Sequence, residues 1–264
     1  MKRATRTNLI LIGVVVALGL AAYWQVSREM ARFEPPLSTL DPASIQQVRV
    51  ACLQCTPRRF ERADGHWMMR EPYDLPADDA QIARLLSIAA SPVRSRRPLA
   101  SLDAKKIGLD PALMSLELDS THFDFGTTDT FNGDRYVRIG DSIAMAPDRF
   151  SPFLLAAPAS ELDRHLVPRG STLSGMSIDQ VDRPDLVAAW SDALASRITA
   201  RNDPATSANG VKITLKLSDG STISYRLVRD GDTFIADRNE PALRYGLTPE
   251  QATTLLGDAE AGAH

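Results

Sequence analysis

The stretch from Leu9 to Val26 constrains this chain more than any other, because its eighteen residues carry no charge and most are aliphatic. Wound as a helix at about 1.5 Å per residue, eighteen residues measure about 27 Å, close to the ~30 Å hydrocarbon core of a bilayer. Leu, Ile and Val each favour insertion by about 0.3 to 0.6 kcal/mol near the bilayer centre. Tyr23 and Trp24 stand where an interfacial aromatic belt belongs. Residues 9–26 are therefore expected to form a transmembrane helix, used as a signal anchor.

Charge gives the direction. Lys2, Arg3, Arg6 and the amino terminus precede the span, whereas Arg28 and Arg32 after it are offset by Glu29 and Glu34. The positive-inside bias places residues 1–8 in the cytoplasm and exports the rest, which in a bacterium means an inner-membrane anchor with the bulk in the periplasm. Leu9 to Val16 would also suit the core of a signal peptide, with Gly19 or Ala21 at the cleavage site. Apolar residues run on past both sites, and either reading exports the body of the chain. That body, 44% hydrophobic and 24% charged over the full sequence, is globular in character, and a net charge of −3 offers no basic surface for nucleic acid.

After the span, residues 27–43 are expected to prolong the helix and then stiffen into a spacer at Glu34-Pro35-Pro36, since proline cannot continue a helix. A first module, 44–168, opens with period-two residues Val48 and Val50, resumes at Phe60 and turns at Asp64-Gly65 into Trp67-Met68-Met69, a three-strand meander. Asp78-Asp79 then start a helix with Ile82, Leu85, Leu86 and Ala89 at helical spacing. The Arg-rich stretch Ser91 to Leu102, holding Arg94, Arg96 and Arg97, reads as a solvated loop, with a phosphate or lipid-headgroup site as the alternative. A second meander pairs Leu116 and Leu118 with Phe123 and Phe125, and Val137 and Ile139 with Ile143 and Met145. Short helices are expected over Pro147–Leu155 and Ser160–Leu166, and Pro168 to Gly175 is the expected boundary.

The second module, 175–256, is expected to begin with a helix after Pro184 carrying the stripe Val187, Trp190, Leu194 and Ile198. The run 211–217 alternates without a fault and turns at Asp219-Gly220 into Ile223, Tyr225 and Leu227. Asp230-Gly231 turns again, Thr248-Pro249-Glu250-Gln251 makes a capping box, and 257–264 reads as a frayed tail. Aligning Asp64-Gly65 with Asp230-Gly231 brings Leu85-Leu86 near Leu255-Leu256, an internal echo. The fold class expected is α+β: antiparallel β-meanders with packed helices, in two related modules behind one N-terminal transmembrane helix.

Trp67 shortly before Pro72, the Ala77-Asp78 helix start with Ile82, Leu85 and Leu86, Gly108-Leu109, Phe125-Gly126 and Tyr136-Val137 together resemble the bacterial family called domain of unknown function 4340. The resemblance covers roughly 42–168, with a weaker copy behind it. It implies one N-terminal membrane span, an exported α+β part and an accessory role in the envelope, and it supplies no catalytic residues.

Among chemical candidates, Cys52-Leu53-Gln54-Cys55 stands out. Two cysteines three apart in an exported chain point to a disulfide closing a turn, with an unpaired pair, catalytic redox or metal binding as alternatives. A metal would need two more ligands, of which His66 is the nearest. Asp124-Phe125-Gly126 spells the kinase metal-binding tripeptide but has neither a phosphate loop nor a catalytic loop before it, and reads as a strand end turning at glycine. Gly170 to Gly175 lacks nucleophile-elbow spacing, and His66, His122, His165 and His264 are scattered. No catalytic, cofactor or metal residue is assigned. The function expected is a non-catalytic accessory module of a transporter or envelope complex, its partners the membrane and other envelope proteins, with no nucleic acid and no small molecule specified. The alternatives are a membrane-tethered thiol-disulfide protein using Cys52 and Cys55, or a small-ligand sensor.

Overall fold

A computed structural model describes residues 2–30, 35–201 and 210–257, with the side chains of the first helix described over 11–25. Residues 31–34 of the expected helix-and-spacer stretch, residues 202–209, and the tail beyond Gly257 with His264 lie outside the described residues. Helix α1 (Lys2–Met30) contains the expected span. Among the described residues no helix is long and apolar enough to cross a membrane. The fifteen described side chains of α1 cover about 22 Å at about 1.5 Å per residue, short of the ~30 Å core.

Beyond α1 the described residues are α+β, in two antiparallel sheets with few, short helices. In chain order come β1 (Gln47–Cys52), β2 (Arg58–Ala63), β3 (His66–Glu71), β4 (Leu75–Pro76) and α2 (Asp79–Ser87). Then follow β5 (Ser95–Pro98), β6 (Met114–Leu118), β7 (Thr121–Thr128), β8 (Asp134–Ile139), β9 (Ser142–Pro147) and α3 (Ser151–Leu154). The last part holds β10 (Leu173–Ile178), β11 (Val181–Asp182), α4 (Val187–Ser191), β12 (Arg197–Ala200), β13 (Val211–Leu217), β14 (Thr222–Asp230), β15 (Thr233–Arg238), β16 (Leu243–Leu247) and α5 (Pro249–Leu256).

These elements form two compact units interleaved along the chain: Met1–Asp41, Ser87–Leu113 and Phe123–Arg149 in one, Pro42–Leu86, Met114–His122 and Phe150–His264 in the other. The segments on both sides of Pro168 to Gly175 thus belong to the same unit.

In the first unit the strand order is β7-β8-β9-β5. Alternation turns Val137, Ala144 and Ala146 inward, where they are buried. The Arg-rich stretch expected as a loop contains strand β5, which pairs with β9 through Arg97 opposite Ile143. Its side chains lack the apolar alternation that marks a strand, because Arg94 pairs with the buried Asp134 at 2.9 Å and Arg96 donates to the Pro36 carbonyl. The spacer is fixed here as well: Leu37 is buried, and its N–H donates to Ser91 O at 3.0 Å. Gly126 lies within β7 and not at a turn, and any Cβ there would strike the Ile107 carbonyl.

In the second unit the order β4-β3-β2-β1-β6 contains the expected three-strand meander as β1-β2-β3, with β4 beside β3 and with β6, expected in the second meander, beside β1; the other sheet runs β11-β10-β13-β14-β15-β16-β12. The faultless alternation of 211–217 appears as Val211, Ile213, Leu215 and Leu217 buried with Lys212 and Lys216 exposed, in register from Val211 opposite Leu227 to Lys216 opposite Thr222. The helical stripe expected from Val187 to Ile198 breaks after Ser191. Ala195 N–H donates to Arg164 O and Ser196 N–H to Gly246 O, and Ile198 joins strand β12 opposite Tyr245. Likewise Ser160–Leu166 is not a helix: a 3₁₀ turn at Pro158–Glu161 gives way to bridges of Leu162 to Ala77 and of His165 to Leu194. The capping box at Thr248 and Gln251 forms as expected. The internal echo has a structural counterpart, since β1 to β4 followed by α2 and β13 to β16 followed by α5 share one element order, with Leu85, Leu86, Leu255 and Leu256 all buried.

The core of this second sheet centres on Trp190, fully buried, whose Nε1–H donates to Leu255 O at 2.8 Å and whose ring lies 6.0 Å from that of Tyr225. Tyr225 stands edge-on to Tyr245 at 5.4 Å, and its hydroxyl donates to Leu166 O at 2.6 Å. Trp190→Phe deletes the indole donor and leaves the Leu255 carbonyl without it, so stability should fall by about 2 kcal/mol or more. Urea unfolding followed by circular dichroism measures this, and an unchanged midpoint would show that the hydrogen bond contributes nothing.

Candidate functional site

The second unit gathers the titratable residues that could carry chemistry, beginning at the β1–β2 turn. Cys52, opposite Met114 of β6, and Cys55 form a disulfide with Cα atoms 5.4 Å apart. Between them Leu53 is 60% exposed. Three residues on, strand alternation turns Arg58 to the interior, where its side chain has 0% exposure.

A buried guanidinium calls for acceptors, and Arg58 finds them for both terminal nitrogens on one segment, its Nε alone lacking a partner among the described residues. Nη1 donates to Glu161 Oε1 at 2.8 Å, to Ala156 O at 2.9 Å and to Phe153 O at 3.3 Å, and Nη2 donates to Leu154 O. Glu161 is equally enclosed, at 3% exposure. Burial pushes its carboxyl up to about 7, the Arg58 charge acting in the opposite direction. The pair fastens the 150–161 segment to β2.

A second cluster lies where the start of α2 meets the 163–169 segment. Asp79 Oδ1 accepts Trp67 N–H at 2.9 Å, and Oδ2 lies 2.8 Å from both His66 Nδ1 and Arg169 Nη1. Arg169 reaches Asp163 through Nε at 2.8 Å, and the other oxygen of Asp163 lies 2.6 Å from His165 Nδ1. Burial raises the Asp79 carboxyl, but the hydrogen bonds from His66, Trp67 N–H and Arg169 outweigh it and hold the group below its ordinary value. The result is two His–Asp pairs joined by one arginine. Among the described residues no serine, threonine or cysteine side chain hydrogen-bonds either imidazole.

The structure thus brings His66 and His165 into one network that their distance in sequence hides. Arg169 and Asp163 carried no signal of their own: one stood at an expected domain boundary, the other inside an expected helix. His122 instead pairs with Glu117 at 3.2 Å. Asp124 sits in β7 opposite Arg138, whose Nε donates to it at 2.8 Å, which makes it one half of a cross-strand ion pair. Ser174 Oγ donates to Lys216 O and fastens β10. Among the described residues no group of three or more His, Cys, Asp or Glu side chains is arranged to hold a metal.

A family model described as Domain of unknown function (DUF4340) matches residues 67–256. The match begins at Trp67 and continues beyond residue 168 to the end of α5, so it takes in the His66-adjacent strand, the 150–169 segment and all of the second sheet. No curated protein and no solved structure matches the chain.

Glu161 gives stability a pH signature whose sign follows from proton linkage. Its folded value of about 7 lies above the ordinary 4.5, so the folded chain holds the proton more tightly. The stabilisation is full below pH about 4.5 and is lost as pH rises towards 7. Between those limits the wild type should lose on the order of 3 kcal/mol relative to Glu161→Gln, which keeps an acceptor for Arg58 and does not titrate. Denaturant midpoints at pH 4.5, 6 and 7.5 measure the difference, and parallel curves for the two proteins would refute the assignment.

Proposed function

The chain belongs to the DUF4340 family, and on that premise we propose that it is a single-pass, membrane-anchored protein whose exported body is a non-catalytic interaction module of an envelope or transporter complex. The observation that carries this reading is α1. Every described side chain from 11 to 25 is exposed, and Leu11, Ile12, Val15, Leu18 and Leu20 each present more than half of their surface. A helix apolar on all faces has no side to offer water and calls for lipid or a partner around it. With Leu9, Ile10 and Val26 the apolar run reaches membrane length, and Lys2, Arg3 and Arg6 orient it with the bulk outside. The inner membrane and periplasm are the compartments this orientation gives in a bacterium.

Two further features support an interaction role. The clustered acids and bases of the second unit are engaged with one another in cross-links of the fold, and the repeated meander-and-helix order suits a duplicated scaffold that presents surfaces. A second reading, thiol-disulfide exchange, draws on the Cys52–Cys55 bridge and its exposed Leu53 tip.

A C-terminal alkaline phosphatase fusion should be active, and the full chain should resist carbonate extraction from membranes, whereas deletion of residues 2–30 should release the body in soluble, folded form. Cytosol-only reporter activity would overturn the topology. Cys52→Ser with Cys55→Ser should leave function intact and lower the melting temperature by a few degrees; loss of function at unchanged stability would favour the redox reading.

A further inference from the structure

The first unit holds a cavity of about 230 Å³ lined by Arg97, Leu102, Asp129, Tyr136, Ile143 and Met145. Its floor follows from strand register. Tyr136 lies opposite Met145 and Arg97 opposite Ile143, two residues apart on β9, so these four side chains share the sheet face that Val137, Ala144 and Ala146 do not use. Leu102 and Asp129 of the β7–β8 turn complete the lining, and Arg97 stands exposed at its mouth.

The polar groups of this cavity are unlike those elsewhere in the unit. Arg94 and Arg96 are consumed by Asp134 and by the Pro36 carbonyl. Among the described residues neither the Arg97 guanidinium nor the Tyr136 hydroxyl has a hydrogen-bond or ion partner. Asp129 is held rigidly: its Oδ2 accepts Phe131 N–H at 3.3 Å and Asn132 N–H at 3.1 Å, and its own N–H donates to Asp134 O at 2.7 Å. Its Oδ1 is left without a partner among the described residues. One cavity therefore offers an unused cation, an unused carboxylate oxygen on a fixed turn, a phenol, and three apolar side chains.

We propose that this cavity binds a small zwitterion, an α-amino acid with an apolar side chain. A plain carboxylate would gain Arg97 but meet the Asp129 charge, and a plain amine the reverse; only a ligand bearing both charges satisfies both groups. The space of about 230 Å³ lies below the roughly 300–1,000 Å³ of sites for drug-sized molecules and suits a ligand of amino-acid size. Leu102, Ile143 and Met145 take the aliphatic chain, while Arg97 takes the carboxylate and Asp129 Oδ1 the ammonium. The proposal concerns the first unit alone and goes beyond the anchoring role, so neither stands or falls with the other.

Isothermal titration of the full chain in detergent with L-leucine, L-methionine and L-valine tests it, with 4-methylpentanoate and isopentylamine as the two half-ligands. At least one amino acid should bind saturably, and each half-ligand should bind at least tenfold more weakly than leucine or not at all. Arg97→Gln and Asp129→Asn, the second of which keeps the turn's acceptor, should each weaken binding at least tenfold while leaving the unliganded melting temperature unchanged. Absence of saturable binding by all three amino acids, binding of 4-methylpentanoate as tight as leucine, or undiminished binding in both variants would overturn the proposal.

Discussion

An arginine with no solvent exposure is costly unless acceptors meet it, and the 153–161 segment of the second unit supplies them to both terminal nitrogens of Arg58. Three backbone carbonyls and the Glu161 carboxylate converge on one guanidinium, and that geometry fixes the path of residues 153–161. Replacing either charge alone would strand the other in a low-dielectric interior, at a cost of about 3–5 kcal/mol. The pair is thus less a source of net stability than a rule about where the segment lies.

From that fixed point the chain continues as a cross-brace. Asp78 N–H donates to Glu161 O at 2.8 Å and Asp163 N–H to Pro76 O at 2.9 Å, so the segment binds the end of the first meander. A few residues later Leu166 N–H donates to Ala193 O, and its carbonyl accepts the Tyr225 hydroxyl, which binds the second sheet. Arg169, between Asp79 and Asp163, closes the same brace on the outside. The His–Asp pairs on this brace have carboxylates also engaged by arginine or backbone, so they tie the start of α2 to the 163–169 segment.

Much of this fold was legible from pattern alone. Hairpins at Asp64-Gly65, Asp219-Gly220 and Asp230-Gly231 are local events: the turn residues and the alternation beside them determine the pairing without help from distant chain. The Thr248 capping box is local in the same sense. What failed were elements whose state is decided from outside. Val187 to Ile198 has helical spacing, yet the backbone after Ser191 pairs with Arg164 and Gly246 and becomes extended. Ser91 to Leu102 has the polarity of a loop, yet β9 captures its backbone while Asp134 and the Pro36 carbonyl take up two of its arginines. Gly126 reads as a turn residue and is required because another backbone passes against it.

The sequence by itself determined an apolar N-terminal helix, an α+β body of antiparallel meanders, membership of a family and the closeness of Cys52 to Cys55, since each depends on residues near one another along the chain. Only the tertiary structure decided that Arg58 meets Glu161, that Arg169 joins His66 to His165 through Asp79 and Asp163, and that Arg97, Asp129 and Tyr136 face one cavity. Those groupings span tens of residues up to about a hundred, and a long-range ion pair or a shared cavity leaves no periodicity in the sequence, because its partners are selected by the folded path of the backbone and not by their neighbours.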